Sequence, residues 1–244
     1  MLLSEPLTAA IDRLYTVFGR IPRPVVIEAC SHCFDEREMN ALLKPVPLRD
    51  LSAEALLPYT GSVLSTVGEV ADFQYFLPRM FEIVCTDDTW PDLAYLAGRL
   101  AVAGWTNWDA EEQAALRDLL HAYWRQTLAS LSSPWDADNV LEAIGNAELD
   151  LGPYLDEWAS ALRDPPAAAQ LRGLMQYSTR PLNHDFHRSN TTLDKQHDQF
   201  VRWLHGSELR AALNDAFATA ETQEARQTLT DIDELLEIFA PDQA

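Results

Sequence analysis

The stretch AEEQAALRDLLHAYWRQTLASL, residues 110–131, indicates the fold class of this chain of 244 residues. Its apolar side chains recur three and four positions apart over four turns, the pattern of a helix with one buried face. Asp109 and Glu112, three residues apart, predict a capping box where this helix begins. The spacing predicts a buried stripe made of Leu116, Leu119, Leu120, Tyr123, Trp124, Thr127, Leu128 and Leu131.

Helical periodicity continues on both sides of this stretch. Toward the N-terminus a helix is expected from Leu7 to Phe18 with Gly19 as its stop, and a proline-containing extended connector follows at residues 20–34. No Asn-Gly or Asp-Gly turn joins alternating apolar runs, so no hairpin is expected. We predict an all-α chain of about ten helices, either one multihelical domain or an irregular stack of antiparallel helix pairs. Beyond residue 136, helices are predicted at 137–148, 152–163, 166–178, 192–205, 208–221 and 223–239.

Prolines mark the places where this pattern is expected to be interrupted. Pro78 lies in the aromatic-rich segment 69–84, where it should break or kink the helix. The weakest seam of the chain is Arg163-Asp164-Pro165-Pro166. Because this seam at residues 163–166 is short, we expect a single domain over residues 1–244.

The charge balance limits the classes of partner. The 38 acidic residues outnumber the 18 basic ones, which gives a net charge of −20. This field opposes binding to nucleic acid and to anionic membranes, and it favours a basic protein partner. The alternative interpretation is that the acidity serves only to keep the protein soluble.

Basic residues are concentrated in one part of the chain. Residues 165–210 hold six bases and four acids, whereas residues 136–164 and 211–244 each hold eight acids and one base. Opposite charges that are close in a fold usually pair, so the basic segment is expected to pair with its acidic neighbours. The alternative is that the basic segment lines a separate site.

The N-terminus has no basic segment followed by an apolar run, and no apolar run approaches 18 residues. Three cysteines do not form a disulfide framework in a chain of this length. These features lead us to expect a protein of the reducing cytoplasm, without a membrane partner.

A metal site is one alternative that the motifs leave open. Cys30 and Cys33 form a C-x-x-C pair, which is half of a zinc site, and His184 and His187 form an H-x-x-H pair that could complete it. On this hypothesis the chain binds zinc, and a metal-dependent hydrolase would use the cysteines with the His184–His197 region. The other interpretations are ordinary reduced cysteines, with no cofactor, or a redox pair.

The segment from Cys30 to Glu82 resembles uncharacterised bacterial helical proteins that carry a cysteine pair before a short helix and then an F-L-P-R segment. Here these parts are Cys30, Cys33 and Phe76-Leu77-Pro78-Arg79. The resemblance implies a bacterial source, and it implies no activity and no catalytic residue.

Tryptophans among carboxylates suggest a docking face, since aromatic side chains anchor many protein interfaces. Trp90 and Trp108 are its candidate anchors, whereas Trp105 is expected in the core. The alternative is that the tryptophans fill the core and the acids cap helix N-termini. The predicted partner-binding residues are Asp87, Asp88, Trp90, Asp92, Trp108, Asp109, Glu111 and Glu112.

Common catalytic motifs are missing from the sequence: it has no G-x-S-x-G, no P-loop and no G-x-G-x-x-G. Together with the acidity, this favours a non-catalytic module that binds a basic protein. Bacterial immunity proteins, which neutralise basic toxins, are of this type. A zinc-dependent enzyme and a helical scaffold or adaptor are the alternative functions.

Overall fold

The computed structural model describes residues 3–30, 32, 34–87, 93–131, 137–148, 150–177 and 194–238. Within these ranges the chain forms twelve α-helices and two short 3-10 turns, Leu48–Asp50 and Trp105–Asn107. The same ranges contain isolated β-bridges but no strand. The predicted all-α class is therefore confirmed.

The helices follow one another with short connections. They are α1 (Glu5–Phe18), α2 (Glu36–Leu42), α3 (Ala53–Ser62), α4 (Val70–Thr86), α5 (Leu93–Val102), α6 (Ala110–Leu128), α7 (Ala137–Ala147), α8 (Gly152–Ala161), α9 (Pro165–Tyr177), α10 (Asp194–Leu204), α11 (Ser207–Thr219) and α12 (Gln223–Ile238). The bounds of α7 to α12 agree with the predicted bounds to within two residues. Among the described helices, none has the length and apolar character needed to cross a bilayer.

The chain divides into two compact units, Met1–Tyr123 and Trp124–Ala244, and the division falls inside α6. The segment at residues 163–166 lies within the second unit and connects α8 to α9, which pack together. A single domain over the whole chain stays a prediction.

In the first unit, α4 packs against α1, α3 and α5. Helix α4 continues from Val70 to Thr86 with Pro78 inside it, so of the two predicted outcomes the break is wrong and the kink stays a prediction. Phe73, Leu77 and Phe81 are completely buried on this helix. Burial of such a face offsets the hydrogen bond that proline removes from the helix.

A polar network joins α1, α4 and the 48–50 turn. The Tyr15 hydroxyl donates to Glu82 Oε2 at 2.6 Å, and Arg79 Nη1 donates to the same oxygen at 2.7 Å. Arg79 Nε also donates to the Leu51 carbonyl at 2.8 Å, and the Arg49 guanidinium lies 4.1 Å from the centre of the Tyr15 ring. Burial and the Glu82 carboxylate raise the pKa of Tyr15. Arg79 of the F-L-P-R segment therefore links α4 to Leu51, which directly follows the 48–50 turn.

In the second unit, α8 packs against α9, α10 and α11. Buried aromatic rings form the core beneath α8. The Trp158 ring lies 5.2 Å from that of Trp124 and 5.6 Å from that of Trp203, and Phe200 stacks on Trp203 at 5.8 Å. Trp158 Nε1 donates to the carbonyl of Ala167 on α9 at 3.0 Å. These contacts fix the position of α8 relative to α9 and α10.

The buried stripe predicted for α6 is confirmed at seven of its eight positions. The exception is Leu131, which is 66% exposed. The helix ends at Leu128, and a residue beyond the helix no longer follows its periodicity.

Candidate functional site

Trp108, one predicted anchor, is half-buried immediately before α6. Its ring makes edge-on contacts with Phe18 and Phe73, at centroid distances of 6.0 and 6.4 Å. Its Nε1 donates to the Ala103 carbonyl at 3.3 Å. Trp105 is 1% exposed, so its predicted core position is confirmed. Much of the Trp108 side chain therefore packs against residues of the first unit and is not available to a partner.

The carboxylates around Trp108 share one internal cation. Arg20 Nη2 lies 2.9 Å from Asp109 Oδ2 and 3.0 Å from Glu112 Oε1, and Arg20 Nη1 lies 3.5 Å from Glu111 Oε2. The Glu112 side chain is 7% exposed and also accepts a hydrogen bond from the Asp109 N–H at 3.2 Å. The hydrogen bond that Arg20 donates to Glu112 raises the pKa of Arg20. We call Arg20, Asp109, Glu111 and Glu112 the compensated cluster.

Of the remaining predicted docking residues, Asp87 is the one that the structure describes, and it is not part of the compensated cluster. Asp87 follows the last residue of α4, thirteen positions after Gln74, whose Nε2 lies 3.5 Å from Glu112 Oε2. Thirteen residues correspond to about 20 Å along a helix axis. Asp88, Trp90 and Asp92 lie outside the described residues.

The proposed metal site cannot be assembled from the described part of the chain. Cys30 is exposed and is not in a disulfide, and its N–H donates to the Thr66 carbonyl at 3.0 Å. Cys33, His184 and His187 lie outside the described residues. In the ranges that the structure describes, no three metal-ligating side chains are grouped to hold an ion. Zinc binding stays a prediction.

The second unit contains a cleft of about 620 Å³ between α8 and α11. Asp156 and Ser160 line it from α8, and Glu208 and Asp215 line it from α11. Arg163 at its edge binds Asp215, with Nε 2.9 Å from Oδ2. Within the described ranges, neither Asp156 nor Glu208 has a cationic side chain at ion-pair distance. We call this region the α8–α11 cleft.

A second cavity, of about 270 Å³, lies between α8, α10 and α11 and shares Asp156 and Glu208 with the cleft. Leu155 and Trp203 supply its apolar wall, and Arg202 supplies a cation. We call it the Trp203 cavity. A third hollow, of about 380 Å³, also includes Asp156 and Ser160 in its lining. The exposed side of α8 therefore borders several hollows.

Part of the basic segment 165–210 pairs with its acidic neighbours, as one interpretation of the sequence predicted. Arg172 Nη1 lies 3.2 Å from Asp231 Oδ2, and Arg210 Nη1 lies 3.6 Å from Asp233 Oδ1. Arg202 differs, because it has no ion pair within the described part of the chain. The internal pairing therefore leaves at least one arginine for the Trp203 cavity.

The α8–α11 cleft could not be predicted from the sequence. Asp156 and Glu208 are far apart in the chain and belong to no motif, so no spacing could join them. The one available signal was the excess of acids in segment 136–164, which holds Asp156, whereas Glu208 lies in the basic segment 165–210. Gln196 was also not predicted: it is 3% exposed, and its Nε2 donates to the Glu148 carbonyl at 2.9 Å.

Comparison of this chain with protein-family models, with curated proteins and with solved structures finds no match.

Proposed function

We propose that this protein is an acidic module that binds a basic protein partner, and that the α8–α11 cleft receives cationic side chains of that partner. The observation that carries the proposal is the pair Asp156 and Glu208, two exposed carboxylates of one cleft that have no cationic partner in the described residues. A lysine or arginine of a partner would supply the missing charge.

The electrostatic balance supports this choice of site. A partner's cation that approaches the compensated cluster must compete with Arg20, which already lies at 2.9–3.5 Å from three carboxylates. At Asp156 and Glu208 no internal cation has to be displaced. The second unit carries 20 acids and 9 bases, a net charge of −11. A field of this sign accelerates the encounter with a basic surface.

A bacterial immunity protein that neutralises a basic toxin is the biological form that we propose for this activity. Carboxylates on such a module can occupy a cationic cleft that would otherwise hold phosphate groups. The net charge of −20 and the open carboxylates of the α8–α11 cleft support the proposal.

Calorimetric titration with a peptide of six arginines, amidated at its C-terminus, tests the proposed site. We expect Asp156→Asn/Glu208→Gln to weaken binding at least about tenfold, because each charge-assisted contact contributes roughly 1.5–3 kcal/mol. The matched control is Asp109→Asn/Glu111→Gln, which removes the same two charges from the compensated cluster. We expect that control to change the affinity by less than about twofold, since both of these carboxylates already pair with Arg20.

Equal losses in the two double variants would contradict the proposed site, because net charge alone would then control binding. Far-UV circular dichroism of both variants checks that the helices remain intact. Asparagine keeps the ability to cap a helix, so Asp109→Asn should not disturb the start of α6.

A further inference from the structure

The Trp203 cavity has a preformed apolar wall. Leu155 and Trp203 form this wall, and both side chains are buried. The Trp203 ring stacks with Trp158 at an interplanar angle of 25° and with Phe200 at an angle of 27°. Because these packed rings hold Trp203 in place, the wall can receive an apolar group without rearranging, and binding to it loses little conformational entropy.

The size of the cavity and its arginine both suit an aromatic side chain. The volume is about 270 Å³, whereas a cavity of about 150 Å³ is enough to hold benzene. Arg202 is exposed and lines the cavity. Its Nε donates to the Asp198 carbonyl of its own helix at 3.0 Å, and its Nη groups make no ion pair within the described ranges. A guanidinium stacks on the face of an aromatic ring, which an aliphatic side chain does not offer.

The charges around the cavity call for a cation beside that aromatic group. Asp156 and Glu208 line both the Trp203 cavity and the α8–α11 cleft, whereas Arg202 lines the cavity and not the cleft. A cation is therefore attracted to the cleft side of the two carboxylates and is repelled from the cavity by Arg202. Because the two hollows share these carboxylates, an aromatic ring in the cavity and a positive charge in the cleft are neighbours.

We propose that the Trp203 cavity receives an aromatic side chain of the basic partner, and that an arginine or lysine beside it in the partner's chain reaches Asp156 and Glu208 in the cleft. The aromatic ring packs on Leu155 and Trp203 and stacks on the Arg202 guanidinium. The recognised feature of the partner is an aromatic residue next to a basic one. This inference rests on the proposed function, and it adds which part of the partner is recognised.

Three peptides of equal charge test the inference by calorimetric titration. They are acetyl-Phe-Arg-Arg-amide and its two analogues in which alanine or cyclohexylalanine replaces phenylalanine. We expect the phenylalanine peptide to bind at least about tenfold more tightly than the alanine peptide, because its ring is removed from water in the cavity. Long-range electrostatic attraction cannot produce this difference, since the three charges are the same.

A variant that fills the cavity locates the ring. Ser207 is exposed at the start of α11 and lines the cavity but not the cleft. Ser207→Trp should therefore abolish the preference for phenylalanine over alanine, and it should change hexa-arginine binding by less than about twofold, because that peptide uses the cleft alone. Asn214→Trp is the matched control, since Asn214 is an exposed residue of α11 that lines none of the three hollows. It should keep the preference, and far-UV circular dichroism checks that both variants are folded.

Arg202→Gln tests whether the occupant is aromatic. The ratio of the affinities for the phenylalanine and cyclohexylalanine peptides should fall severalfold, because a guanidinium attracts the face of a phenyl ring and not a saturated ring. Arg210→Gln is the matched control, because Arg210 pairs with Asp233 and does not line the cavity. A ratio that Arg202→Gln leaves unchanged, or that both variants lower equally, overturns the aromatic occupant.

The outcomes separate this inference from the proposed function. Suppose that the phenylalanine and alanine peptides bind equally, or that the preference for phenylalanine survives in Ser207→Trp, while Asp156→Asn/Glu208→Gln still weakens hexa-arginine binding. The aromatic site is then overturned and the proposed function stands. A preference for phenylalanine without any loss of affinity in Asp156→Asn/Glu208→Gln overturns both proposals, because the cation is then not held in the cleft.

Discussion

The compensated cluster and the α8–α11 cleft hold similar residues and differ in how many of their carboxylates pair with an arginine of the chain. In the cluster, Arg20 contacts three carboxylates, and one of these, Glu112, is buried. In the cleft, Arg163 binds Asp215, while Asp156 and Glu208 keep their charges open to solvent. The number of acids is therefore a poor guide to a docking site, and the position of the nearest cation is a better one.

The two regions also differ in how deeply their tryptophans are buried. This difference gives the largest effect that we expect, a change in the free energy of unfolding. Trp158 on α8 is completely buried, whereas Trp108, which precedes α6, is half-buried. Trp158→Ala should lower the free energy of unfolding by about 4 kcal/mol, because it removes a large core side chain. Trp108→Ala should cost about 2 kcal/mol, since less surface is lost. Denaturant unfolding of both variants measures the difference. Equal losses in the free energy of unfolding would contradict the expected difference, because the two tryptophans would then contribute equally to stability.

Ionic strength sharpens the comparison at the level of binding. Raising the salt from about 50 mM to about 500 mM shortens the screening length severalfold and should weaken hexa-arginine binding at least tenfold. In Asp156→Asn/Glu208→Gln the salt dependence should be shallower, because fewer ion pairs form. Titrations across this range measure both slopes. A salt-independent affinity of the native chain would mean that the cleft does not act through charge.

The fold could be predicted from the sequence further than the site could. Helix bounds follow from local spacing, as in α7 to α12, and one hydrogen bond of the predicted Asp109–Glu112 capping box is present, from the Asp109 N–H to Glu112 Oε2 at 3.2 Å. The helix break predicted at Pro78 does not occur, because burial of the apolar face of α4 outweighs the local effect of proline. The α8–α11 cleft depends on which side chains meet across distant helices, and only the three-dimensional arrangement supplies that information.

A smaller effect is expected from releasing a carboxylate inside the cleft. Arg163→Gln removes the cation that binds Asp215. The variant should bind the hexa-arginine peptide several-fold more tightly, because a third open carboxylate then lines the cleft. Calorimetry measures the change, with Arg172→Gln as the control, since Arg172 pairs with Asp231 and lines none of the three hollows. An unchanged affinity in Arg163→Gln, or an equal gain in the control, would contradict the role of this pair.

The most direct test of the central claim is to remove the cation from the compensated cluster. In Arg20→Gln, the carboxylates of Asp109 and Glu111 lose their internal partner while the number of acids stays the same. The account predicts that calorimetry will detect a second binding event for hexa-arginine, which Asp109→Asn/Glu111→Gln abolishes in the same background. Circular dichroism establishes that the variant is folded. A folded Arg20→Gln protein that binds the peptide with the same stoichiometry and affinity as the native chain would contradict the claim that internal compensation decides which carboxylates are available.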